Sequence, residues 1–272
     1  MRVAAYQGPY LPFPSVDGVR LVAEQLAACE AAGVEILCCP EAIIGELANE
    51  SDGDSPEAVA VGVENGELME VMAPLTGSPV TVVVGFSERS PSGELFNSAA
   101  VLTGDALVGV YRKAYPGPGS AYGAGNDLPI FWHGTTPFGV LICNDVHHIE
   151  PARVLAARGA TILLVPAHGG HRPAKEEAWR ARGINVLVAR AVENTVTVIS
   201  ADVAGRQGDR LSHGTTAIVD SQGTIVARAE PLAAGLLVAA VDVHPGGVPG
   251  AGMDGRPNRA VTEAFLELWR RE

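Results

Sequence analysis

The chain has 272 residues, 31 acidic against 19 basic side chains, a formal charge of −12 and a pI near 5.0. That balance excludes a phosphate-binding face of clustered Lys and Arg, so nucleic acid is not an expected partner. With 47% hydrophobic and 18% charged residues the chain is not disordered. No apolar run approaches the roughly 18 residues of a membrane span, and no membrane association is expected.

Residues 3–7 read as a strand at once, without the longer apolar stretch and cleavage site of a secretory signal. Residues 17–32 carry the spacing of an amphipathic helix, with Asp17 placed to cap its start and Gly33 to end it. A second strand, 34–39, is ended by Pro40. Residues 56–73 are helical by composition, although Gly62 and Gly66 weaken the pattern. Strands at 80–86, 98–102 and 107–112 follow, separated by turn residues in the manner of hairpins, and 117–127 reads as a long Gly/Pro-rich loop.

The second half alternates again. A strand at 138–143 leads to a short helix, 151–158, with proline near its start, then to a β-branched strand at 161–165. The longest helix is expected at 174–190 and the next strand at 195–201. Strands at 215–219, 224–227 and 236–243 complete the series. Gly/Pro-rich 245–257 then leads to a C-terminal helix carrying Phe265, Leu268 and Trp269 at helical spacing. No linker-like composition interrupts the alternation. This predicts one layered α/β domain over 1–272, with 245–272 as a C-terminal extension.

Cys29, Cys38, Cys39 and Cys143 are too few and too irregular for a disulfide framework, which fits a reduced, cytoplasmic setting. Adjacent Cys38 and Cys39 point to opposite faces of a strand, so they cannot easily share a bridge or a metal. Cys143 stands at the end of an apolar strand, where α/β enzymes place reactive groups; a buried structural thiol is the commoner fate of such a residue. Glu41 follows a strand and Pro40, where a helix cap is the default role. Lys113 ends a strand, where a solvated edge lysine is the default. His147, His148, His168 and His171, with Glu150, invite a metal. Adjacent histidines rarely converge on one ion, however, and no zinc-type spacing occurs, so no metal is expected. The glycines at 117–119 and 123–125 lack the Gly-Lys-Ser/Thr of a phosphate loop, and nucleotide binding is not expected.

Taken together, these residues carry a resemblance. Gly33-Val34-Glu35-Ile36-Leu37-Cys38-Cys39-Pro40-Glu41 resembles the glutamate motif of the nitrilase superfamily of carbon–nitrogen hydrolases. Gly109-Val110-Tyr111-Arg112-Lys113 resembles its lysine motif, and Gly139-Val140-Leu141-Ile142-Cys143-Asn144-Asp145, continuing to Glu150, its cysteine motif. Seventy-two residues separate Glu41 from Lys113 and 30 separate Lys113 from Cys143, both compatible with the family. Leu95-Phe96-Asn97-Ser98-Ala99, Ala189-Arg190-Ala191-Val192-Glu193-Asn194 and His213-Gly214-Thr215-Thr216 are similar to further family segments.

The resemblance implies a four-layer α-β-β-α sandwich with mixed sheets, commonly doubled, hence a homodimer or a higher assembly of dimers. It also implies a Glu41–Lys113–Cys143 triad that cleaves a small amide or N-carbamoyl substrate through an acyl-thioester, releasing ammonia or an amine, with no cofactor. Asn144, His147 and His168 are the candidate substrate-binding residues. In one respect the chain departs from the pattern. Many members carry a second glutamate between the lysine and the cysteine, whereas residues 114–127 contain none, and Asp127 stands too late to replace it. The alternatives are nitrile hydrolysis by the same triad, a non-catalytic regulatory member of the family, or a metal-dependent hydrolase using the histidines.

Overall fold

The computed structural model describes residues 1–243 apart from Pro118. The expected C-terminal extension, 245–272, with Phe265, Leu268 and Trp269, lies outside the described residues. Chain order begins with β1 (Arg2–Pro9), α1 (Gly18–Ala31), β2 (Ile36–Cys38), β3 (Val61–Gly62) and α2 (Glu67–Val71). Three long strands follow: β4 (Ser78–Arg89), β5 (Leu95–Gly104) and β6 (Ala106–Arg112). Next come β7 (Phe131–His133), β8 (Thr136–Val140), α3 (Ile149–Ala157), β9 (Ile162–Pro166), α4 (Pro173–Asn194) and β10 (Thr197–Ala201). The chain then forms β11 (Val203–Gln207), β12 (Arg210–Ser212), β13 (Ala217–Val219), β14 (Ile225–Arg228) and β15 (Gly235–Ala240).

These strands make two mixed sheets. One runs β12-β11-β1-β2-β4-β5-β6, with β15 added to β1 and β3 to β4; the other runs β14-β13-β10-β9-β8-β7. Period-two alternation of side chains stacks them into layers. Ala4, Tyr6, Val82 and Val84 face α1, where Val22, Leu26 and Cys29 cover them. Val3, Ala5 and Val83 turn the other way and meet Phe138, Val140, Ile162 and Leu164 of the second sheet. The second sheet's outer residues, Leu163, Val165 and Val198, are covered by Leu155 of α3 and by Ile184, Leu187 and Ala191 of α4. Helix, sheet, sheet and helix are therefore the four layers expected. Each fully buried aliphatic side chain between them contributes roughly 1.5–3 kcal/mol. Cys38 and Cys39 follow the same rule and point into different cores.

Several local expectations are corrected. Residues 56–73 do not form one helix: two 3-10 turns flank β3 and the five-residue α2. Gly66, at φ 84°, is left-handed and allows no continuous helix through that point. Asp17 precedes α1 but makes no side-chain cap bond; its Oδ1 accepts from Arg20 at 3.2 Å instead. The strand expected over 138–143 ends at Val140, and Cys143 opens a 3-10 turn, Cys143–His147. Short β7, β11 and β12 carry no readable alternation, and β11 follows β10 directly across Asp202 into the other sheet.

Candidate active site

Three segments from both sheets bring Glu41, Lys113 and Cys143 together. Glu41 leaves the end of β2, and its backbone passes so close to β4 that Gly85 is required there. A Cβ on Gly85 would stand 2.3 Å from the nitrogen of Ala42 and 2.6 Å from the carbonyl oxygen of Pro40. Lys113 follows β6, pinned by its N–H to the Asn97 carbonyl at 2.8 Å and by its own carbonyl to the Gly125 N–H at 2.8 Å. Neither default role applies: Glu41 caps no helix, and Lys113 is only 8% exposed.

The Glu41 carboxylate is used unevenly. Its Oε1 accepts from Lys113 Nζ at 2.5 Å and from Asn97 Nδ2 at 2.7 Å. Its Oε2 is buried and has no hydrogen-bond partner among the described residues. Burial alone would push the Lys113 ammonium down, but the Glu41 carboxylate beside it outweighs that and holds it well above the usual lysine range. Lys113 is therefore a charged group in a dry place, fixed by one oxygen while the other is left available.

Cys143 has φ 45°, a left-handed conformation that a side chain other than glycine adopts only where its surroundings impose it. Asp145 imposes it. That fully buried carboxylate accepts from the Ile142 N–H at 2.9 Å, the Tyr111 hydroxyl at 2.7 Å and the Tyr115 N–H at 2.8 Å. It thereby ties the cysteine turn to β6 and to the loop after Lys113. Burial pushes the Cys143 thiol well up, and the Glu41 charge adds to this against Lys113 and the His168 backbone N–H. The resting form is a thiol, which needs a base before it can attack.

The other expected residues divide. His147 lines a cavity with Cys143, and burial together with the charges of Arg182 and Arg190 pushes its imidazole down to about 4. Asn144 turns its amide to the Tyr115 carbonyl at 3.0 Å, fixing the loop. His168 pairs with Glu46, a buried carboxylate at φ 73°. Burial lowers the His168 imidazole, but Glu46 outweighs it and the net shift is upward. His148 stacks on Tyr115 at 3.7 Å. Among the described residues no group of three or more His, Cys, Asp or Glu side chains could hold a metal ion.

The loop without a glutamate is held by one from elsewhere. Glu50 accepts from the Ala121 N–H at 2.9 and 3.1 Å and from the Ser120 hydroxyl at 3.1 Å. It shares a cavity of about 140 Å3 with Glu41, Asn97, Lys113 and Tyr122. Asp127 is exposed and lies 3.5 Å from Arg158. Asn97 and Glu50 have no role in the sequence reading. Asn97 sits in a recognisable hairpin motif, but nothing local marks Glu50, whose partners are 70 residues away.

Residues 2–245 match the family model of the carbon–nitrogen hydrolases. The chain belongs to that family. A probable nitrilase of Schizosaccharomyces pombe is 27% identical over 231 residues, 78% of this chain and 79% of that protein. Deaminated glutathione amidase of Synechocystis is 28% identical over 215 residues, 72% of this chain and 76% of that protein. The solved amidase of Nesterenkonia sp. AN1 superposes with a TM-score of 0.78 at 22% identity, covering 98% of this chain and 99% of that one, a likeness of fold. In another structure of that amidase, acrylamide has added to the active-site cysteine. Like other carbon–nitrogen hydrolases, the present enzyme acts on C–N bonds other than peptide bonds. Among the described residues no helix is long and apolar enough to cross a membrane.

Proposed function

We propose that the protein is an amidase-type hydrolase in which Cys143 is the nucleophile, Glu41 the proton carrier and Lys113 the oxyanion stabiliser. The observation that carries this reading is the divided carboxylate: Oε1 of Glu41 is held by Lys113 and Asn97, while Oε2 is buried without a described partner. Buried carboxylates mostly have both oxygens satisfied; Glu46 shares the unpartnered Oε2 but is paired with His168, whereas Glu41 sits beside both Lys113 and Cys143. The free oxygen suits a group that must accept and return a proton.

In the proposed cycle Sγ of Cys143 bonds to the substrate carbonyl carbon as Glu41 takes the thiol proton. The charge that develops on the carbonyl oxygen is met by the Lys113 ammonium and the backbone N–H after Cys143. Collapse breaks the C–N bond, and Glu41 returns the proton to the departing nitrogen, leaving an acyl-thioester. Water then adds to the acyl carbon as Glu41 takes its proton, and the acid leaves as that proton returns to sulfur. No cofactor enters these steps. A small amide or N-carbamoyl compound is the substrate class the cycle serves, with Glu50 ordering the loop over the leaving group.

The test is ammonia release across small amides, N-carbamoyl amino acids and nitriles, with iodoacetamide and EDTA as controls. The proposal expects activity on amides or carbamoyl compounds that iodoacetamide destroys and EDTA spares. Activity on nitriles alone would favour the nitrilase alternative. No ammonia from any substrate, and no acyl adduct on Cys143, would favour a non-catalytic protein.

A further inference from the structure

The proposed cycle brings the departing nitrogen to Glu41, and Glu41 lines the cavity of about 140 Å3 together with Lys113, Ser120 and Tyr122. Part of that wall is the run of chain from Lys113 to Gly125, and both of its ends are tied down. At the start, the Lys113 N–H donates to the Asn97 carbonyl and the Tyr115 N–H to Asp145, each at 2.8 Å. At the finish, the Gly123 N–H donates to the Leu95 carbonyl and the Gly125 N–H to the Lys113 carbonyl, again at 2.8 Å. The Tyr122 and Ser87 hydroxyls share a hydrogen bond at 2.7 Å. Ser120 and Ala121 lie between these anchors. Among the described residues, their hydrogen bonds to the fold outside the loop run to Glu50: the Ala121 N–H at 2.9 and 3.1 Å, and the Ser120 hydroxyl at 3.1 Å.

Glu50 has a firm footing of its own. It opens a 3-10 turn, Glu50–Asp52, in the segment between β2 and β3. The Asp52 N–H donates to the Asn49 carbonyl at 2.8 Å, and the Asn49 N–H to the Asp54 carboxylate at 3.0 Å. From β12, Nη2 of Arg210 donates to the Asn49 side-chain oxygen at 2.9 Å and to the Ser51 hydroxyl at 3.0 Å. Nε of the same guanidinium stands 3.5 Å from Asp52. The turn is thus held by β12 on one side and holds the loop after Lys113 on the other. A bond from a carboxylate to a backbone N–H is charge-assisted and fixes the position of the chain that donates it.

We infer that Glu50 is a positioning residue for the departing amine: by clamping Ser120 and Ala121 it fixes the wall of the Glu41 cavity between Lys113 and Tyr122. The inference rests on the hydrolase reading above. Glu50 touches no reacting atom and acts through the loop. Reaction geometry tolerates little displacement, and a shift of about 1 Å in a positioning group costs up to about 100-fold in rate. The effect belongs to one half of the cycle. While the C–N bond breaks, the nitrogen must stay aligned with the proton on Glu41. Once the amine has gone, the acyl-thioester is the same whatever the leaving group was, and the attacking water is held by Glu41 itself. Glu50 is exposed, so removing it costs the fold little.

The test follows Glu50→Ala, Glu50→Gln and Glu50→Asp in the full chain, on a primary amide and on the phenyl ester of the same acid, whose turnover is set by deacylation. Glu50→Ala should lower kcat/KM for the amide by about 10- to 100-fold while kcat for the ester stays within about twofold. The denaturant midpoint should not move. Glutamine keeps the reach and one acceptor oxygen, so Glu50→Gln should recover at least about threefold of the loss. Aspartate keeps the charge but is one methylene shorter, and Glu50→Asp should resemble alanine. An amide loss below twofold, equal losses on amide and ester, or recovery by aspartate and not by glutamine would overturn the inference. A second measurement works without turnover and keeps the two readings apart: hydrogen exchange at the Ala121 N–H. Exchange at least about 10-fold faster in Glu50→Ala supports the clamp even if no amide is hydrolysed, in which case only the hydrolase reading fails. Exchange that ignores Glu50 overturns the clamp even in an active enzyme.

Discussion

Two buried carboxylates stand beside Cys143, and the fold treats them in opposite ways. Asp145 accepts from two backbone N–H groups and one tyrosine hydroxyl, on both of its oxygens. Glu41 has two donors on one oxygen and no described partner on the other. The first arrangement holds three pieces of chain in one geometry. The second leaves a lone pair available inside a dry site. Burial alone does not separate these two carboxylates; the count of satisfied oxygens does.

Four perturbations would break or sharpen that contrast. Removing the proposed nucleophile has the largest expected effect: Cys143→Ala should abolish ammonia release while leaving the denaturant midpoint within error, since one sulfur leaves little cavity. Replacing Asp145 comes next. Asp145→Ala strands three donors, two of them backbone N–H groups, and should cost about 2–4 kcal/mol in chemical denaturation, with turnover falling as the Cys143 turn relaxes. Breaking the Glu41–Lys113 pair from the lysine side leaves a buried carboxylate uncompensated. Lys113→Met should therefore cost roughly 3 kcal/mol, and adding Glu41→Gln should recover most of that loss, a coupling measurable in a double-mutant cycle.

The smallest effect belongs to the Glu46–His168 pair, where only stability is expected to change. In the fold Glu46 holds the His168 imidazole above its ordinary range despite burial. A histidine with a raised folded value stabilises fully below the unfolded value of about 6.5, and that contribution disappears as pH climbs through the raised value. The stability gap between wild type and Glu46→Gln should therefore be widest below about pH 6.5 and narrow above it. A gap that widened with pH would mean that His168 is neutral in the fold.

Much of this architecture can be read from the sequence, and the reasons differ by region. Near-continuous apolar runs along 3–7, 80–86 and 161–165 locate strands because each is buried on both faces, and the period-two geometry of a strand decides which core each side chain joins. The short edge strands β7 and β11 and the broken stretch 56–73 are set by pairing partners and by a left-handed Gly66, which periodicity does not report. At the site, Lys113 directly follows β6, and Glu41 and Cys143 stand three residues beyond the ends of β2 and β8. Asp145 shows in the cysteine motif, but its three donors come from 111, 115 and 142 and only folding brings them together. Arg180 is one of several arginines on α4, and the sequence offers no sign that it lines the Cys143 cavity.

The most direct test of the central claim, that the unpartnered oxygen of Glu41 carries the proton, compares two readouts in Glu41→Gln. One is ammonia release from the best amide substrate, and the other is alkylation of Cys143 by iodoacetamide, followed by intact mass. Glutamine keeps the shape and an oxygen but cannot carry the proton, so turnover should fall by about 10²- to 10⁴-fold. Alkylation should persist, because with the Glu41 charge gone Lys113 favours the thiolate and solvent can take the proton. Turnover within about threefold of wild type would contradict the account, as would loss of alkylation in step with turnover.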